Sequence, residues 1–197
     1  MLDHSCQVGR ATYAERGEDL YETPPVAVSA LLSVEQIPMR IWEPACGPGA
    51  IVRVLRESDR FVFASDLVDY HSAHQDRVFD FLTQKKPALN IDCIVTNPPF
   101  RWAQEFVAKA IELCPRVFML LRLAFLESER RSSILDTGNL CRVHVFRKRL
   151  PMMHRAGWEG RKANSGMAFA WFVFLRGYHG PIELRRISWK RESELIG

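Results

Sequence analysis

Four short apolar runs, Arg40-Ile41-Trp42, Phe61-Val62-Phe63-Ala64, Ile91 to Val95 and Val117-Phe118-Met119-Leu120-Leu121, each stop at a polar or glycine-rich break. Runs of this kind suit strands buried on both faces, as in a parallel sheet covered by helices. The stretches between them agree: Ile51-Val52 with Val54-Leu55, and Phe106-Val107 with Ala110-Ile111, repeat at the three- and four-residue spacing of helices packed on a sheet. Two later runs, Val143-His144-Val145-Phe146 and Ala168 to Leu175, have no helical pattern between them and are expected to pair antiparallel across a long loop. The expected fold class is therefore α/β.

With 197 residues, 47% of them hydrophobic, the chain can bury one substantial core. The first twenty residues show no period and read as a flexible lead-in, so one domain is expected over 21–197. Thr23 before Pro24 and Pro25 suits a helix start with Thr23 as cap, and Val26, Ala30 and Leu31 carry its apolar stripe to about Ser33. No apolar stretch reaches the roughly 18 residues of a membrane span, and Met1-Leu2-Asp3-His4 does not begin a secretory leader. Five widely spaced cysteines without a Cys-x-x-Cys pair suggest reduced thiols in a cytoplasm. His71 and His74 lie in a polar stretch, and His144, His154 and His179 share no ligand spacing with the cysteines, so no metal site is expected.

Asn97-Pro98-Pro99-Phe100 directly follows the third strand run, which puts a stiff, amide-led turn where an open α/β sheet carries its chemistry. An exocyclic amino group on adenine is a poor nucleophile because its lone pair is delocalised into the ring. The Asn97 side-chain oxygen and the Pro98 carbonyl are suited to grip the two amine hydrogens and favour a more tetrahedral nitrogen. Proline stiffness keeps both acceptors aimed, and Phe100 offers a ring to stack on the base.

Glu43-Pro44-Ala45-Cys46-Gly47-Pro48-Gly49 is a glycine-rich turn between the first strand and a helix beginning near Ala50. Gly47 and Gly49 permit close backbone approach to a ligand at a helix amino terminus. The spacing departs from the Gly-x-Gly-x-x-Gly dinucleotide pattern, which argues against NAD. Asp66 ends the second strand run, where a carboxylate can accept both hydroxyls of a ribose. Asp80-Phe81 offers an acceptor for an exocyclic amine and an apolar ring for a purine, in a pairing that also arises for purely structural reasons.

Net charge is +4, but Arg142 to Arg191 holds twelve Lys or Arg against Glu159 and Glu183 alone. A polyanion-binding surface and a solvated basic face explain that charge equally well. Two segments could meet nucleic acid: Leu126 to Asn139, and the loop from Arg147 to Gly166. The second interleaves Arg147, Lys148, Arg149, Arg155, Arg161 and Lys162 with Trp158, which reads as a base-stacking surface or as a loop anchor.

Taken in order, Glu22-Thr23-Pro24-Pro25, the glycine turn, Asp80-Phe81 and Asn97-Pro98-Pro99-Phe100 resemble the S-adenosylmethionine-dependent adenine-N6 DNA methyltransferases whose cofactor motif precedes the catalytic one. The likeness spans about residues 20 to 176. It implies a Rossmann-like class I methyltransferase fold, with a mostly parallel seven-stranded sheet and an antiparallel carboxy-terminal strand. It also implies a cofactor site. Thr23 would serve the methionine end, Asp66 the ribose, and Asp80 and Phe81 the adenine, with Pro24, Glu43, Pro44, Ala45, Gly47, Gly49 and Leu67 also bordering the cofactor. Asn97 would border both cofactor and target, with Pro98, Pro99 and Phe100 completing the active site. The implied partner is nucleic acid, DNA before RNA, and the target base must leave its stack to react. Restriction-linked members usually carry a large separate target-recognition domain; none is expected here, so the expected sequence preference is weak or short. Protein glutamine methyltransferases resemble the chain at the Asn-Pro-Pro-aromatic motif, whereas the Glu43-Pro44-Ala45-Cys46 turn is more like the DNA enzymes. A catalytically idle nucleic-acid-binding module is the remaining alternative.

Overall fold

A computed structural model describes residues 21–87, 89–152 and 167–189. Helix α1 (Pro25–Val34) precedes β1 (Arg40–Glu43), α2 (Ala50–Glu57) and β2 (Phe61–Asp66). A two-residue β3 (Arg77–Val78) leads to β4 (Cys93–Thr96), α3 (Ala103–Leu113) and β5 (Arg116–Arg122). The short helix α4 (Ser132–Leu135) and strands β6 (Leu140–Phe146), β7 (Phe169–Leu175) and β8 (Glu183–Ile187) complete the order.

These strands form one sheet in the order β3-β2-β1-β4-β5-β7-β6-β8. Every neighbouring pair is parallel except the two made by β7, which runs antiparallel to β5 and β6. The two late apolar runs thus pair antiparallel as their lack of an intervening helix required. Among the described residues the sheet has eight strands where seven were expected. Neither β3 nor β8 announces itself in sequence: β3 is two exposed residues, and β8 exposes Leu184, Arg185 and Arg186.

Alternation along the strands sorts side chains between two cores, one under α1 and α2 and one under α3 and α4. Phe118 and Leu120 enter the first, and Val117, Met119 and Leu121 the second; Phe169, Trp171 and Val173 alternate likewise with Ala170, Phe172 and Phe174. The indole of Trp171 donates to Ala27 O at 2.9 Å, which ties β7 to α1. That bond fixes where the chain enters α1, beside the carboxyl end of β4.

The start of α1 corrects one expectation. Pro24 is the cap residue and no side chain caps the helix; the Thr23 hydroxyl is engaged elsewhere. Among the described residues no helix is long and apolar enough to cross a membrane.

Candidate active site

Because β6 and β8 run parallel to β1, β2, β4 and β5, all six leave the sheet at the same edge. Along that edge stand Asp66, Glu43, Asn97 and Arg122, then Arg147 beyond the intervening start of β7. A cavity of about 360 Å³ opens along this edge around the ends of β2, β1 and β4. That volume suits a small organic ligand.

The sequence-derived residues divide cleanly. Thr23, Pro44, Ala45, Gly47, Asp66, Leu67, Asp80, Phe81 and the whole of Asn97 to Phe100 border the cavity. Pro24, Glu43 and Gly49 do not. Gly49 has φ of 100°, and a Cβ there would lie 2.3 Å from His74 Cβ. Glycine is therefore required at 49 by the turn and by His74, rather than by a ligand. Glu43 is fully buried; its Oε1 accepts from Thr96 Oγ1 at 2.7 Å and from Ala45 N at 3.2 Å. Burial pushes the Glu43 carboxyl well above the usual range, more than these bonds lower it. It clamps β1, the turn and β4 together from behind.

The turn itself is held by the acid expected to hold ribose. Asp66 Oδ2 accepts from Gly47 N at 2.8 Å and Oδ1 from Val68 N at 3.1 Å. Asp66 thereby ties the turn to the end of β2 and itself borders the cavity. The Gly49 N–H is taken by Cys46 O at 2.9 Å, so the turn does not present that group as a free donor. Burial pushes the Cys46 thiol up, which keeps it protonated and unreactive.

Asp80 caps the following 3-10 turn by accepting from Leu82 N at 2.8 Å. Phe81 is only 2% exposed and is packed edge-on to Trp42, with ring centroids 5.1 Å apart, and against Phe106 at 4.9 Å. It forms cavity floor. The exposed aromatic at this end is Trp102, 44% exposed, which sequence reading missed because its position follows from the 3-10 turn after the prolines.

Asn97 is fixed from one side. Its Nδ2 donates to Tyr21 O at 2.9 Å and to Thr23 Oγ1 at 3.0 Å. A carbonyl can only accept, so the Tyr21 contact dictates which end of the amide is nitrogen. The opposite atom, Oδ1, is buried and has no partner among the described residues. A buried acceptor of this kind is costly in a finished core and suits the donor of a bound ligand. Thr23, implied at the methionine end by resemblance, here does a second task, since its hydroxyl orients Asn97.

Phe100 is less free than the sequence suggests. Its ring stacks on Tyr21, with centroids 4.8 Å apart and planes at 28°, and lies 5.6 Å from Phe169. The Arg122 guanidinium carbon sits 4.1 Å from the ring centroid. Tyr21 and Arg122 were missed; the signal for Arg122 was its place at the end of the next strand.

Of the basic residues, Arg147, Lys148 and Arg149 are exposed where β6 ends, and Trp189 Nε1 donates to Lys148 O at 3.2 Å. Arg155, Trp158, Arg161 and Lys162 lie outside the described residues, as does the lead-in over 1–20. In the other candidate segment, Arg131 is spent on structure: it donates to Ala124 O and Phe125 O, each at 3.1 Å, and lies over the Phe125 ring at 4.6 Å.

The fold defined by this sheet order and edge is the Rossmann-like fold of class I methyltransferases. The chain is similar to a modification subunit of a provisionally assigned type I restriction enzyme from Vibrio vulnificus, with a TM-score of 0.56 and 15% identity. That match covers 85% of this chain and 47% of the subunit, so the chain spans about half the length of that relative. A provisionally assigned RNA methyltransferase from Pyrococcus horikoshii matches at a TM-score of 0.60 and 15% identity, covering 85% of this chain and 90% of that one. The E. cuniculi Mtq2–Trm112 complex, which methylates the eRF1 translation termination factor, matches at 0.56 and 17% identity over 81% of this chain and 99% of the other. No family model and no curated protein sequence matches.

Proposed function

We propose that this protein moves the methyl group of S-adenosylmethionine to the N6 amino group of adenine in DNA, with little or short sequence preference. The observation that carries the reading is Asn97 Oδ1, buried at a cavity wall and without a partner among the described residues while Nδ2 is held behind it.

The cavity has the chemistry this cofactor needs: an acid at the end of β2, a glycine turn beside it, and an apolar floor of Ile51, Phe81 and Phe106. Asp66 would hold the ribose, Gly47 would allow close approach, and Asp80 with Leu82 and Trp102 would meet the adenine. When bound, S-adenosylmethionine would supply a methyl carbon that an aligned nitrogen attacks in line, the N–C bond forming as the S–C bond breaks, with S-adenosylhomocysteine leaving as the neutral thioether and the methylated nitrogen giving up one proton to water. Asn97 Oδ1 and the Pro98 carbonyl accept the amine hydrogens and stabilise the positive charge that grows on nitrogen. The Thr23 and Tyr21 contacts hold that oxygen in place before the substrate arrives, which is where preorganisation gains its effect. Nothing in this scheme requires a covalent enzyme intermediate.

The acceptor reading draws on the basic edge. Exposed Arg147, Lys148 and Arg149 leave the sheet on the active-site side, in a segment whose Lys and Arg outnumber its acids twelve to two. Such a surface favours a polyanion over a protein. The experiment supplies methyl-labelled S-adenosylmethionine with single- and double-stranded DNA, RNA or protein and follows the label. Label in N6-methyladenine of DNA is expected. Label in RNA adenine or in a protein glutamine amide would replace the acceptor, and no transfer to any of them would leave a binding module.

A further inference from the structure

The side chain that most needs explaining outside the machinery above is Arg122. It ends β5, the strand that pairs with β4, and so begins one strand, about 4.8 Å, from the Asn97 turn. Its guanidinium lies against the Phe100 ring at 4.1 Å. Among the described residues its Nε is buried without a hydrogen-bond partner, and no carboxylate lies within ion-pair reach of it. Structural arginines of this chain look different. Arg56 is paired with Asp76, Arg142 with Glu35, and Arg131 with two carbonyls.

A planar cation resting on an aromatic ring, with a donor left unused, has the shape of a placeholder. The ring it covers follows directly on the amide whose oxygen is also unused. Two orphaned polar atoms of opposite sense, an acceptor at Asn97 and a donor at Arg122, thus flank one aromatic surface. An extruded nucleotide answers both: its amino group suits Asn97 Oδ1, its base suits the Phe100 ring, and its phosphate suits a guanidinium. Two strands beyond Arg122 on the same edge, Arg147 to Arg149 continue the positive line.

We propose that Arg122 is the nucleotide-positioning residue of this site: it covers Phe100 until the target base arrives, then yields the ring to the base and takes the phosphate of the extruded nucleotide. The inference rests on the adenine methyl-transfer reading and adds to it a residue that neither the motif nor the cofactor cavity contains.

The test compares wild type with R122A and R122K on unmethylated single-stranded DNA over a range of salt. Circular dichroism and S-adenosylmethionine titration serve as folding controls. In R122A the KM for DNA is expected to rise about tenfold or more while cofactor affinity changes less than about twofold, and the salt slope of DNA binding should fall by about 0.7, one phosphate contact on a single strand. R122K, which keeps the charge and loses the planar stack, should restore the salt slope and only part of the KM. A variant that loses cofactor binding along with KM makes Arg122 a structural residue and overturns the proposal, as does R122A with unchanged KM and salt slope. Wild type that transfers label to no adenine overturns the functional reading itself, a result separable from either of these.

Discussion

Thr23 Oγ1 lies 3.0 Å from Asn97 Nδ2 across 74 positions of sequence, and with the Tyr21 carbonyl it sets which face of the Asn97 amide looks into the cavity. The consequence is testable without touching the amide. In T23V the hydroxyl acceptor is gone but the shape remains, so kcat should fall by about five- to tenfold, the equivalent of one hydrogen bond worth about 1 kcal/mol. T23S should recover most of it. N97A removes the acceptor altogether and should lower kcat by about 100-fold to 1,000-fold while cofactor affinity survives. Label-transfer kinetics beside calorimetric titration of S-adenosylmethionine distinguish the two losses. Equal turnover in N97A would remove Asn97 from the chemistry.

Glu43 predicts a pH dependence of stability. Its folded carboxyl titrates above the unfolded one because burial disfavours the anion. The contribution of the protonated form is therefore fully present below the unfolded value, about 4.3, and is lost as pH rises through the raised folded value. E43Q mimics the neutral acid at every pH. Urea melts at pH 5 and pH 8 should show the variant gaining on wild type as pH rises.

The cluster formed by Glu35 with Arg142 and His144 has the opposite sign. Burial raises the Glu35 carboxyl, but hydrogen bonds from His144 at 2.7 Å and Arg142 at 2.6 Å outweigh it, and the net shift is downward. Its stabilisation is present above about 4.3 and is lost as pH falls through the lowered folded value. His144 is fully buried, so removing Glu35 strands it beside Arg142. E35A should cost about 3 kcal/mol near neutrality and progressively less in acid. Equal losses at pH 7 and below pH 3 would refute the assignment.

Gly49 is a position where two causes can be separated. An alanine there meets His74 Cβ at 2.3 Å and must also hold φ of 100°. G49A should destabilise the protein by about 2–4 kcal/mol, the sum of overpacking and backbone strain. H74A keeps the offending carbon and should not relieve it. H74G removes it, so the double variant G49A/H74G should regain the steric part alone, which thermal melts can read.

The sequence was legible wherever the signal is local. Apolar runs that stop at polar breaks, and prolines or glycines at those breaks, reflect the burial and steric demands of β1, β2, β4, β5 and the two turns. The late strands were readable for the same reason, since a run as apolar as Phe169 to Leu175 has nowhere to go but a sheet centre. Strands β3 and β8 were not, because an edge strand buries too little to need an apolar pattern.

At the site the division is finer. Sequence alone determined that an amide, two prolines and an aromatic would stand at a strand end, behind a glycine turn and an acid. Only the tertiary structure decided what each does there. Thr23 turned from helix cap to amide holder, Glu43 withdrew from the cavity to clamp its back, Phe81 became floor, and Phe100 acquired Arg122 as a cover. The physical reason is distance along the chain. Local sterics write themselves into neighbouring residues, whereas contacts such as those of Tyr21 and Thr23 with Asn97, 76 and 74 positions apart, exist only once the sheet has brought α1 to the end of β4.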